Sequence, residues 1–194
     1  MQRVSVIGTS GSGKTTLARR LGSRLDLPHL ELDAVFHQPG WTELPDDAFR
    51  AAVIAFCAGE RWIVCGKYSQ VRELVFERAD TVVCLDHGRL RQTLRVAWRT
   101  ARRAALRQEL WNGNRESWRN LAVWRPKEES IVRWTWETIP DVRDLFADVE
   151  RRHGDHARVI RLRGWRQIDA WVQSAGTDPG GAGTAQSKTT VRRP

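Results

Sequence analysis

Short, continuously apolar runs alternate along this chain with longer stretches in which apolar residues recur every three or four positions. The runs fall at residues 3–7, 28–32, 62–65, 81–85 and 159–162. Such runs are what strands of a sheet covered on both faces look like. The 3.6-period stretches predict helices after residue 16, over 45–58, 71–77, 89–110 and 130–152, and over 165–174. Pro45 suits a first helical position, Asp46 and Asp47 suit the positive end, and Gly59 ends that helix. Pro140 predicts a break in the 130–152 helix. In the helix over 89–110, Leu90, Leu94, Ala97, Ala101 and Ala105 mark the expected inner face. Arg91, Arg95, Arg99 and Arg103 form a second stripe.

Strands alternating with helices imply an α/β fold in three layers, with a parallel sheet and right-handed crossovers. Ligands of such sheets bind beyond the carboxyl ends of the strands. That rule gathers five strand ends on one edge: the loop after residue 7, Asp33, Gly66-Lys67-Tyr68, Asp86 and Gly164.

The first of these ends carries the strongest motif. Gly8-Thr9-Ser10-Gly11-Ser12-Gly13-Lys14-Thr15-Thr16 fits G-x-x-x-x-G-K-[ST], the Walker A phosphate loop, between a strand and a helix. Glycines let successive N–H groups turn inward onto phosphate oxygens, and the helix N-terminus adds partial positive charge. Gly8, Ser10, Gly11, Ser12, Gly13, Lys14, Thr15 and Thr16 are therefore the expected ATP-binding residues. Lys14 would reach the β- and γ-phosphates, and the Thr15 hydroxyl would bind Mg2+.

Composition narrows the partners. A chain of 194 residues with 41% hydrophobic content suits one α/β domain over 1–175. No run approaches a membrane span, and no signal peptide is expected ahead of the first strand. Cys57, Cys65 and Cys84 show no metal spacing, so they are expected to be reduced thiols of a cytoplasmic protein. The net charge is +9, and about +8 of it lies between residues 89 and 133, where eleven Arg and one Lys face four Glu. The Gly/Thr/Ser-rich segment 176–194 is expected to be a disordered tail.

Several blocks together resemble a known group. They are Leu32-Asp33-Ala34-Val35-Phe36, Pro39-Gly40-Trp41, Leu85-Asp86 and Glu109-Leu110-Trp111-Asn112-Gly113-Asn114-Arg115-Glu116. With the phosphate loop they resemble small bacterial P-loop proteins of the adenylate-kinase-like group labelled topology-modulation proteins. The resemblance covers roughly residues 1 to 175. It implies a nucleoside-monophosphate-kinase-like core, strand order 2-3-1-4-5, and a helical Arg-rich lid over about 99–133. One departure stands out: the group has Asp-Gly-Asn-Tyr where this chain has Cys65-Gly66-Lys67-Tyr68. The lost carboxylate helps organise the Mg2+ water shell in such folds, so Asp33 or Asp86 is expected to replace it, or catalysis weakens.

The remaining candidates keep competing readings. Asp33 would position an acceptor hydroxyl or a metal-bound water, or else cap a turn. Asp86 serves the site or caps the following helix. Trp41 and Tyr68 wall the acceptor or merely pack. Arg99 and Arg103 are the leading lid arginines, with Arg95 behind them and Arg115 near the lid tip. Trp165 walls a base or packs the last helix. The expected function is an ATP/Mg2+-dependent small-molecule phosphotransferase with a nucleotide and a small acceptor as partners. The alternatives are a nucleotide-dependent nucleic-acid-binding protein, with Trp98, Trp111, Trp118 and Trp124 stacking on bases, and a non-catalytic ATP sensor.

Overall fold

The computed structural model describes residues 1–175, so the expectation of a disordered tail lies outside the described residues. Five parallel strands form one sheet in the order β2-β3-β1-β4-β5. They are β1 (Arg3–Gly8), β2 (His29–Glu31), β3 (Trp62–Cys65), β4 (Thr81–Leu85) and β5 (Arg158–Leu162). Central β1 pairs Val4 with Ile63 of β3 on one side and with Thr81 of β4 on the other.

Alternate residues of each strand face opposite layers, because successive side chains of a strand point to opposite faces. Val4, Val6, Ile63, Cys65, Val83 and Leu85 bury against α1 (Lys14–Leu25) and α7 (Trp165–Ser174). Ile7, Trp62, Val64, Val82 and Cys84 bury against the other layer. That layer holds α2 (Leu32–Phe36), α3 (Asp46–Cys57), α4 (Arg72–Arg78) and α6 (Ile131–His153). α5 (Arg89–Ala105) leaves the sheet after β4 and runs toward the irregular segment before α6.

Four sequence expectations are corrected. β2 stops at Glu31, and Leu32 and Asp33 open the five-residue α2; Leu32 buries against the core from that turn instead of extending an edge strand. α5 ends at Ala105, short of Leu110, where Arg107 takes a positive φ of 48°. Its buried face is Gln92, Val96, Thr100 and Ala104, while Leu90 and Leu94 are 65% and 61% exposed. Hydrogen bonds from Gln92 to the phosphate loop decide that rotation over the stronger apolar stripe.

α6 runs unbroken through Pro140. Proline removes the hydrogen bond to the carbonyl four residues earlier. That carbonyl belongs to Trp136, and Arg89 Nε donates to it at 3.0 Å while its guanidinium lies 3.9 Å from the centre of the Trp136 ring. No helix of the described residues is long and apolar enough to cross a membrane.

Candidate functional site

The phosphate loop forms because its glycines take backbone shapes that other residues resist. Gly11 has φ +71° and Gly13 has φ +93°. The loop turns on Ser12 N–H, which donates to Thr9 C=O at 3.3 Å, and Leu17 N–H closes the first turn of α1 on Gly13 C=O at 2.9 Å. The first N–H groups of α1 have no intrahelical acceptors and point out at the loop. Ser12 Oγ is buried and has no hydrogen-bond partner among the described residues. Lys14 Nζ donates to Thr9 C=O at 2.9 Å. Burial pushes the Lys14 ammonium below its ordinary value, against the pull of Asp33. The concavity thus holds free donors and a desolvated cation, which fits a polyphosphate.

Residues that the sequence reading passed over hold this loop from α5 and from the turn between β4 and α5. Gln92 Nε2 donates to Thr9 Oγ1 and, at 2.9 Å, to Ser10 C=O. His87 Nε2 lies 2.9 Å from Ser12 C=O, and the His87 ring stacks on Trp165 at 5.5 Å. The Arg95 guanidinium lies 4.2 Å from the centre of the same Trp165 ring, as a cation–π contact. Trp165 therefore packs over Gly13, where an added Cβ would come within 2.5 Å of its ring. Arg95 is committed to that stack.

Glu31 is the most informative omission from the sequence reading. At the end of β2 its Oε1 accepts a 2.6 Å hydrogen bond from Thr15 Oγ1. Cys65 Sγ lies 3.9 Å from the same hydroxyl and 3.2 Å from His29 Nε2. Burial pushes the Cys65 thiol up to about 12, so it is neither thiolate nor hard-ion ligand at neutral pH. The carboxylate beside Thr15 is Glu31; it is neither Asp33 nor Asp86. Its period-2 position before Asp33 was the only signal in the sequence.

Asp86 sits apart from this cluster and does not cap α5, whose N-cap Gly88 makes no side-chain bond. Its carboxylate accepts from Arg143 Nε at 3.0 Å and from Arg161 at 2.6 Å. Burial pushes the carboxyl up, but these two arginines hold it below its ordinary value.

Asp33 lies in the first turn of α2, and its Oδ1 accepts from Tyr68 Oη at 2.7 Å. His37 Nε2 stands 3.3 Å from the same hydroxyl. Burial, then the Asp33 charge, push the Tyr68 phenol well above its ordinary value, so it stays a donor. Arg99 is mostly buried, its Nε has no hydrogen-bond partner among the described residues, and Asp33 is among the charges it feels. Burial and Arg103 lower its pKa. Arg103 is paired with Glu116 at 3.1 Å.

Trp41 is locked to the irregular segment after α5. Its backbone N–H donates to Asn114 Oδ1 at 2.8 Å, and its indole N–H to Arg115 C=O at 3.2 Å. Asn114 Nδ2 donates to Gln38 C=O at 2.9 Å, and Asn112 Nδ2 donates to His37 C=O at 2.6 Å. His37 is flanked by Trp41 and Trp111, with ring centres 5.3 and 6.0 Å away. The Arg115 guanidinium faces outward, 3.8 Å from exposed Glu109; only its carbonyl joins this clasp. Thr16 is exposed, and Trp98, Trp118 and Trp124 are 73%, 59% and 82% exposed.

No protein-family model matches the chain, and no curated protein matches it. Solved structures do. A shikimate kinase from Acinetobacter baumannii in complex with shikimate is 16% identical, over 90% of this chain and 90% of that one, with a TM-score of 0.53. A gluconokinase from Sinorhizobium meliloti 1021 is 19% identical, over 91% and 94% of the two chains, with a TM-score of 0.49. The chain has the P-loop kinase-like fold: a five-stranded parallel sheet in the order 2-3-1-4-5 with helices on both sides.

Proposed function

We propose that this protein is an ATP/Mg2+-dependent phosphotransferase acting on a small hydroxylated acceptor. The observation that carries this reading is Asp33. It is a carboxylate oriented by Tyr68, two strand ends from the phosphate loop on the same edge of the sheet, and within the electrostatic reach of Lys14 and Arg99. Kinases of this fold with small-molecule substrates, such as the shikimate kinase above, support the class of reaction.

Bound Mg·ATP supplies the phosphoryl group and its charge compensation. The loop amides and Lys14 hold the phosphate chain. The Thr15 hydroxyl and the Glu31 carboxylate are oxygen donors suited to a hydrated Mg2+. Tyr68 keeps Asp33 aimed, and Asp33 accepts the acceptor's hydroxyl proton. Arg99 faces the developing negative charge, and Arg103 joins it when Glu116 is released. The Trp41–Asn114 clasp roofs the acceptor side and keeps water out.

The test is phosphoryl transfer against a panel of nucleotides, nucleosides and small hydroxylated metabolites, with and without Mg2+. Transfer should vanish in Lys14→Ala. In Asp33→Asn it should fall by about 10^2 or more while ATP still binds. Unchanged turnover in Asp33→Asn would remove Asp33 from the mechanism. ATP binding without transfer to any compound would favour a sensor.

The exposed Trp98, Trp118 and Trp124 on the Arg-rich segment favour a second reading, a nucleic-acid-binding surface. It requires single-strand affinity that falls steeply with salt and weakens in Trp98→Ala and Trp124→Ala. Equal weak binding of any polyanion would exclude it.

A further inference from the structure

The rotation of α5 leaves an apolar stripe in water. The helix buries Gln92, Val96, Thr100 and Ala104, while Leu90, Leu94 and Trp98 stand exposed on the other side. Their four-residue spacing sets them in one row along the helix, and Ala97 and Ala101 widen that row. Thr93, which adjoins Leu90 and Ala97 on the helix surface, also lines a groove of about 330 Å3 with Val123, Val132, Arg133, Trp136 and Glu137. The apolar surface thus continues from the stripe toward exposed Trp136 of α6. Contiguous apolar surface left in water marks a contact site.

The charge around the stripe has one sign. α5 contains no acidic residue. Arg91 precedes Leu94 by one short turn and Arg102 follows Trp98 by one, so both border the stripe. Both are exposed, and neither makes an ion pair among the described residues. These features select the partner. A second copy packed here would bring arginine against arginine. Nucleic-acid bases stack on tryptophan, but Leu90 and Leu94 offer no ring to stack on and would stay in water. A bilayer surface takes all three groups. Leucine enters the acyl boundary, tryptophan sits at headgroup level, and arginine meets anionic headgroups.

We propose that the outward face of α5 docks on an anionic lipid surface, with Leu90, Leu94 and Trp98 inserted and Arg91 and Arg102 against the headgroups. No helix of the described residues is long and apolar enough to cross a membrane, so α5 lies on the bilayer. The contact does not depend on phosphoryl transfer. The phosphate loop meets the opposite face of the helix, through Gln92 and Val96.

Co-sedimentation of the full chain with vesicles tests it. One set holds phosphatidylglycerol and phosphatidylcholine, the other phosphatidylcholine alone. The protein should pellet with the anionic vesicles, and added salt should weaken that binding. Leu90→Ser with Leu94→Ser keeps every charge and should weaken it roughly tenfold or more. Both positions are exposed, so the urea midpoint of this variant should match wild type. Brominated acyl chains should quench tryptophan emission, and less so in Trp98→Phe. No binding to anionic vesicles, or equal binding by the leucine double variant, would overturn the proposal; the second result would leave only the attraction of a basic protein to any anionic surface. Binding of a single-stranded oligonucleotide that the leucine variant weakens as much would overturn it in favour of nucleic acid. A dimer in vesicle-free solution that dissociates in that variant would overturn it in favour of a second copy.

Discussion

Gly11→Ala with Val96→Ala tests how α5 and the phosphate loop fit together. At Gly11 the backbone has φ +71°, and an added Cβ would lie well inside contact distance of Val96 Cγ2. Packed carbons sit about 3.5–4.0 Å apart, and a valine in a helix has essentially one χ1 rotamer with which to yield. The left-handed backbone costs an alanine about 1 kcal/mol, and the overlap costs about 1–3 kcal/mol more. Gly11→Ala should therefore destabilise the protein by about 2–4 kcal/mol, lowering Tm on the order of 10 °C. Val96 is fully buried, so Val96→Ala alone should cost about 2 kcal/mol. In the Val96→Ala background the overlap disappears, and Gly11→Ala should then cost only the backbone term of about 1 kcal/mol. Urea unfolding of the four proteins, followed by tryptophan fluorescence, measures the cycle. A favourable coupling of about 1–3 kcal/mol is expected; additivity within about 0.5 kcal/mol would refute the packing of Val96 on Gly11.

Three further outcomes are expected. Asn114→Ala removes the hydrogen bonds to Trp41 N–H and Gln38 C=O, so stability should fall by about 2 kcal/mol in urea unfolding, with a change in the emission of Trp41 and Trp111. Cys65→Asp would put a second carboxylate beside Glu31 and Thr15 in a buried site; stability should drop by roughly 2 kcal/mol or more without a gain in turnover, measured by unfolding and ATP hydrolysis. The folded-state pKa of Asp86 lies below its ordinary 3.8, so its contribution is present above that value and lost as pH falls through the folded one. Asp86→Asn should thus cost about 1 kcal/mol at pH 7, and the difference from wild type should shrink below pH 4 in pH-dependent unfolding.

The sheet and its ligand edge were legible in the sequence because their signals are local. Continuous apolar runs mark covered strands, and G-x-x-x-x-G-K-T prescribes its own turn through the conformations of Gly11 and Gly13. The strand order came from the resemblance, and the sheet observed has that order. Asp33 was singled out by its place after a strand, and the structure sets it in the first turn of α2, bonded to Tyr68. Glu31 was not, because its meaning depends on β2 lying beside β3 and close to the first turn of α1, a contact between residues sixteen positions apart. The orientation of α5 was misread for a related reason. Its strongest apolar stripe contains Leu90 and Leu94, but the helix turns so that Gln92 meets Thr9 and Ser10 and Val96 meets Gly11. Hydrophobic periodicity reports which face is apolar; it does not report which face hydrogen bonds to a distant loop will claim. Pro140 marks the same boundary: a local rule breaks the helix there, and a guanidinium supplied from Arg89 answers the carbonyl that the rule leaves unpaired. The sequence by itself determined the strands, the phosphate loop and the basic segment. Only the tertiary structure decided which carboxylate stands beside Thr15 and that Arg103 is paired with Glu116, because each depends on groups brought together from distant parts of the chain.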